Sequence, residues 1–116
     1  MTIPLTDEAK KARTRHLNYV ARTAMGIGCV MYQTDGINAL DPQLQSKIRE
    51  KVETFNEFTE GNDPHGENDF GSFEHEGHKV MWKIDYYDRN LEFGSEEPWD
   101  AGKTKRVLTI MLSEEY

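Results

Sequence analysis

A chain of 116 residues with 14 Lys and Arg against 21 Asp and Glu carries a formal net charge of −7 and has room for one domain, residues 1–116, around a single core. Charged residues make up 30% and hydrophobic residues 36%, which argues against disorder throughout, and no window approaches the roughly 18 to 20 apolar residues of a membrane span. The N-terminus lacks the apolar core of a signal peptide, which points to the cytosol. The single cysteine, Cys29, excludes an internal disulfide and any zinc or redox motif built on a cysteine pair, leaving a buried, inert thiol as its expected role.

Thr6 is a suitable N-cap, Asp7 and Glu8 suit the positive end of a helix dipole, and the run to Met25 holds no glycine or proline, so a first helix is predicted here. Leu17, Val20, Ala21, Ala24 and Met25 fall at spacings of three and four and predict its buried stripe, with Lys10, Lys11, Arg13 and Arg15 turned to water. Gly26 and Gly28 should end it. Residues 29–33 read as a short strand, followed by a turn at Asp35-Gly36. Asp41-Pro42 then places an N-cap ahead of a first-turn proline, and Leu44, Ile48, Val52 and Phe55 continue at helical spacing, so a second helix is predicted over about 42–57.

Residues 60–69 have loop chemistry throughout. Residues 70–76 and 78–88 predict two strands hinged at Gly77, because Val80, Trp82, Ile84 and Tyr86 alternate with Lys79, Met81, Lys83 and Asp85. A second loop over 90–103 holds Gly94, Pro98 and Gly102, and residues 106–112 form the last strand. The expected fold is α+β in the order αβαβββ: two helices packed on a three- to four-stranded antiparallel sheet.

The strings 62–73 (NDPHGENDFGSF), 82–88 (WKIDYYD) and 106–111 (RVLTIM) resemble a family of small bacterial proteins catalogued as a domain of unknown function, over roughly residues 17–116. The resemblance implies one compact domain and transfers no activity. Families of this kind are common on plasmids and other mobile elements of proteobacteria, so it also implies a role between a mobile element and its host. The basic N-terminal part, residues 1–16, falls largely outside it.

Asp63, His65, Glu67 and Asp69 lie within seven residues, a set of hard oxygen donors plus one imidazole that could hold a divalent metal; the alternative is a turn in which Asp63 and Asp69 cap backbone N–H groups. The spacing does not fit an EF-hand loop. His65-Gly66-Glu67 lacks the cysteine half of a zinc deaminase site, and Asp69-Phe70-Gly71 lacks everything else a kinase needs. His75 and His78 flank the Gly77 turn and could share a metal across a hairpin, although a surface hairpin is the commoner outcome. Nucleotide-binding and acyl-transfer fingerprints are absent, and no cofactor is expected. Trp82 and Tyr86 share a strand face with Val80 and Ile84 and are expected in the core; Tyr87 and Trp99 are expected at the surface.

Charge is segregated along the chain. Residues 10–22 hold five Lys and Arg and no acid, residues 53–76 hold eight acids and no Lys or Arg, and residues 85–100 hold six acids with Arg89 alone. A solvated surface would account for such acidity, yet two acidic loops beside aromatics also project a field suited to a basic groove. The leading expectation is a non-enzymatic interaction protein that engages a basic nucleic-acid-binding protein or ribonucleoprotein, such as a CRISPR effector, through Glu57, Glu60, Asp63, Glu67, Asp69, Asp88, Glu92, Glu96, Glu97 and Trp99, without binding nucleic acid itself. The alternatives are a metal-dependent hydrolase with His65, Glu67 and Asp69 at its centre and Asp85 in support, and a subunit that forms a homodimer through its hairpin.

Overall fold

The computed structural model describes residues 4–24 and 29–116. Helix α1 spans Asp7–Thr23, strand β1 Val30–Gln33, the one-turn helix α2 Asp35–Asn38, and helix α3 Pro42–Glu53. The strands β2 (Phe70–His75), β3 (His78–Tyr87) and β4 (Lys105–Leu112) follow, and a short 3-10 turn covers Ser113–Glu115. The α+β class is as expected. No helix among the described residues is long and apolar enough to cross a membrane.

The sheet order is β1-β4-β3-β2. β2, β3 and β4 pair antiparallel, whereas β1 runs parallel to β4, with Val30 beside Val107 and Gln33 beside Ile110, so the sheet is mixed rather than wholly antiparallel. A turn announces a hairpin locally, but the β1–β4 pairing joins strands separated by α2, α3 and the β2–β3 hairpin, and nothing near either strand encodes its direction. The β2–β3 turn falls at Gly77 as expected. Glu76 and Gly77 both have positive φ, 49° and 81°, the two-residue geometry that matches the twist of a hairpin.

The helices begin where their caps dictate. The Thr6 hydroxyl accepts from Ala9 N at 3.1 Å, and the Asp41 carboxylate accepts from Gln43 N at 3.3 Å with Pro42 in the first turn. α3 stops at Glu53, four residues before the expected end. Phe55 still reaches the core, from the loop rather than from the helix, and packs edge-on against Phe58 and Trp82 at centroid separations of 5.1 and 5.6 Å. With Ile37, Ile48, Val52, Val80, Ile84, Leu108 and Ile110 these rings fill the space between the helices and one sheet face. Full burial of each large aliphatic chain stabilises the fold by about 1.5–3 kcal/mol.

The buried face of α1 is not the expected apolar stripe. Thr14, Asn18, Ala21 and Arg22 are buried, while Val20 is exposed and Leu17 only half-buried. Met25, Gly26 and Gly28, expected to extend and end the helix, lie outside the described residues. The polar face is accepted because most groups on it find partners, the exception being Arg22 Nε, which is buried without a hydrogen-bond acceptor among the described residues. Arg22 Nη1 donates to the carbonyls of Val52, Glu53 and Phe55 at 2.9, 3.2 and 2.7 Å, capping the C-terminal end of α3, and its guanidinium lies over the rings of Trp82 and Phe58. Thr14 closes on Lys10 O within the helix. At the other end of the chain, Glu115 accepts from Leu112 N, Gly36 N and the Thr34 hydroxyl, which holds its carboxyl below the usual range and ties the C-terminal turn to α2.

Arg22→Ala should lower the free energy of unfolding by about 3 kcal/mol, because it strands the carbonyls of Glu53 and Phe55, leaves that of Val52 with its backbone donors alone, and empties the space over Trp82. Arg22→Lys should recover less than half of that, since a single ammonium cannot span the three acceptors while covering the rings. Urea denaturation of both variants reads the difference.

Candidate interaction site

β2 begins, β3 ends and β4 begins at the same end of the sheet, as the pairings Phe70 with Lys83 and Tyr87 with Lys105 require. The two acidic loops, 54–69 and 88–104, therefore emerge side by side although 18 residues of hairpin separate them in sequence. α1 lies across both. A groove of about 350 Å³ between them is lined by Asp7, Lys10, Lys11 and Thr14 from α1, by Pro64, His65 and Glu67 from the first loop, and by Pro98 and Trp99 from the second.

A buried network holds this end together. Asn18 donates both amide hydrogens, to Glu67 O at 3.0 Å and to the Tyr86 hydroxyl at 2.7 Å, and its carbonyl accepts from Arg106 Nε at 2.7 Å. Tyr86 in turn donates to the Glu67 carboxylate at 3.0 Å. Burial pushes the Tyr86 hydroxyl far above its ordinary pKa, so it stays protonated and remains a donor. Arg106 also donates to Pro98 O, which brings the second loop into the same network, and Arg15 donates to Gly66 O at 2.9 Å.

The first loop is shaped by its own short side chains. Asp63 Oδ1 accepts from Glu67 N and Asn68 N, both at 3.1 Å, Gly66 takes φ 68° and Asn68 φ 54°, and Asn62 bridges Thr59 N and Glu57 O. Asp63 therefore serves the turn, and the Glu67 carboxylate serves Tyr86. Asp69 is half-buried, and burial together with the neighbouring Glu67 pushes its carboxyl above the ordinary range. Among the described residues, no group of three or more His, Cys, Asp or Glu side chains gathers closely enough to hold a metal ion, so His65, Glu67 and Asp69 do not form such a set. Asp85 pairs with Lys83 at 2.9 Å among residues of the sheet face opposite the helices, and His75 and His78 are register partners across their hairpin.

Of the remaining acids, Asp88 caps Asn90 N and Glu92 N, and Glu97 pairs with Lys103 at 2.8 Å. Glu57, Glu60, Glu92 and Glu96 are exposed, and none of their carboxylates has an ion-pair or hydrogen-bond partner among the described residues. Trp99, expected at the surface, is half-buried against α1, with the Lys10 ammonium 4.6 Å from its ring centroid. The basic face of α1 thus meets carbonyls and an aromatic ring rather than the loop carboxylates. Sequence patterns missed Asn18, Arg22 and Arg106; the one available signal was the four-residue spacing of Thr14, Asn18 and Arg22, which stacks polar groups on a single helical face.

A family model for a domain of unknown function, DUF3768, matches residues 33–115. The chain belongs to that family. The match takes in both acidic loops and the three strings 62–73, 82–88 and 106–111, while α1 and all of β1 except Gln33 precede it. No curated protein and no solved structure matches the chain.

Asn18→Ala should cost about 2–3 kcal/mol, because it leaves Arg106 Nε and Glu67 O without partners. It should also speed amide exchange at Glu67 and Asn68 more than within α3. Asp69→Asn should raise the melting temperature near pH 7, where the folded state disfavours the ionised carboxyl. Since the folded-state pKa is raised, that gain should shrink as pH falls through it and vanish below the unfolded value near 3.9. Thermal melts across that range decide the sign.

Proposed function

We propose that this DUF3768 protein is a non-enzymatic binding module whose acidic loops dock on the basic surface of a nucleic-acid-binding protein. The observation that carries the reading is the convergence of the two acidic loops at one end of the sheet, with Glu57, Glu60, Glu92 and Glu96 exposed and without partners among the described residues. Carboxylates already committed to turns or to the Tyr86 network would gain little from an incoming cation. These four are free to pair with Lys and Arg in a groove shaped for phosphates, where charge complementarity sets association rate and salt dependence.

The concrete form of the proposal is a cytosolic inhibitor carried by a mobile element and directed at a host defence ribonucleoprotein such as a CRISPR effector. Occupying a nucleic-acid channel with carboxylates would exclude the phosphate backbone by like charge and by volume. A hydrolytic centre at His65 fits the geometry less well, because the Glu67 carboxylate is held by Tyr86 and Asp63 by two backbone N–H groups.

The test is capture by the tagged protein from nuclease-treated lysates of bacteria that carry defence systems, at low and at high salt. A nucleic-acid-binding protein near one-to-one stoichiometry, released by salt, is the expected result. The variant carrying Glu57→Lys, Glu60→Lys, Glu92→Lys and Glu96→Lys should retain at most about a tenth of that capture with unchanged circular dichroism. Capture of nothing stoichiometric, or equal capture by the variant, refutes the proposal.

A further inference from the structure

The turn after β3 is more highly ordered than a connection between two strands requires. Asp88 Oδ1 accepts from Asn90 N and Glu92 N, Asp88 N donates to Phe93 O at 2.8 Å, Leu91 N to Asp88 O at 3.0 Å, and Ser95 N to Tyr86 O at 2.9 Å. Leu91 sits at φ 59°, a left-handed conformation that is unfavourable for a bulky side chain. This frame holds Leu91 and Phe93 out in water, 47% and 70% exposed, with Glu92 and Glu96 beside them. Neither side chain contributes to the core. A rigid, acid-flanked apolar tip has the form of an association anchor, because its ordering cost is met before any partner arrives.

The same chain carries a matching recess. The outer side of α1 and the second loop enclose an open groove of about 400 Å³ lined by Ala12, Arg13, His16, Leu17, Trp99 and Ala101. Its floor is apolar, Trp99 is fixed under Lys10, and the exposed Arg13 and His16 put basic groups at its edge. Tip and groove are thus both apolar at the centre, with the carboxylates of Glu92 and Glu96 beside the one and the guanidinium of Arg13 beside the other. With a net charge of −7 on each copy, close approach is disfavoured except where basic surface faces acidic surface.

We propose that the occupant of this groove is a second copy of the chain. The tip bearing Leu91 and Phe93 enters the groove of its partner, Glu92 and Glu96 face Arg13 and His16, and reciprocal exchange closes a twofold dimer. Glu57 and Glu60 stay outside the contact. Self-association therefore competes with a basic partner for Glu92 and Glu96 and leaves Glu57 and Glu60 available in either state.

Sedimentation equilibrium over a concentration series tests this with the protein alone. The mass should rise from that of one 13.4 kDa chain toward two and no further. Leu91→Asn with Phe93→Ser removes the tip, and Ala12→Glu places a negative charge in the groove; each variant should stay at the mass of one chain, with an unchanged circular dichroism spectrum. An equimolar mixture of the two should regain a two-chain species, because the tip of one variant and the groove of the other are intact. A wild-type mass that stays at one chain or grows past two, variants that associate like wild type, or a mixture that stays monomeric would each overturn the proposal.

Discussion

Two buried guanidinium groups hold α1 in place, and neither lies within ion-pair distance of a carboxylate among the described residues. Arg22 and Arg106 are 3% and 5% exposed, and burial lowers the pKa of both. Removing a charge from water costs several kcal/mol unless the site returns equivalent interactions. Here the return comes from carbonyl oxygens, from the amide of Asn18 and from aromatic faces, with Trp82 and Phe58 against Arg22 and Tyr86 against Arg106. Such interactions are directional. They fix the rotation of α1 about its own axis more narrowly than an apolar stripe would, and they explain why Leu17 and Val20 lie away from the core.

That rotation organises the loop end of the sheet. Once Asn18 faces Glu67 and Tyr86, Arg15 reaches Gly66 and Lys10 covers Trp99, so both loops settle against one helix. The acids divide accordingly. Asp63, Glu67, Asp88 and Glu97 are engaged within the molecule, and Glu57, Glu60, Glu92 and Glu96 are presented outward. The functional reading rests on the second group alone, a narrower surface than the charge count suggests.

The relation between family and site follows the same division. The DUF3768 match contains the hairpin, both acidic loops and Arg106, whereas Asn18, Arg22 and the basic groups of α1 precede it. The acidic surface and the ordered tip at Leu91 and Phe93 therefore belong to the part shared with the family description. The groove facing the tip is formed jointly, by α1 from outside the match and by Trp99 and Ala101 from inside it.

Local chemistry was enough to determine most of the elements. Caps at Thr6 and Asp41, the proline at position 42, the alternation from Val80 to Tyr86 and the glycine at position 77 each act over a few residues, so helices, hairpin and loops are legible in the chain itself. The parallel direction of β1, the polar buried face of α1 and the early end of α3 were decided by the tertiary structure. Each depends on partners distant in sequence: β4 for β1, Glu67 and Arg106 for Asn18, and Arg22 for the carbonyls that close α3. The acidity of the two loops was likewise plain in the sequence, but which carboxylates remain free was settled only when hydrogen bonds to backbone, Tyr86 and Lys103 had claimed the others.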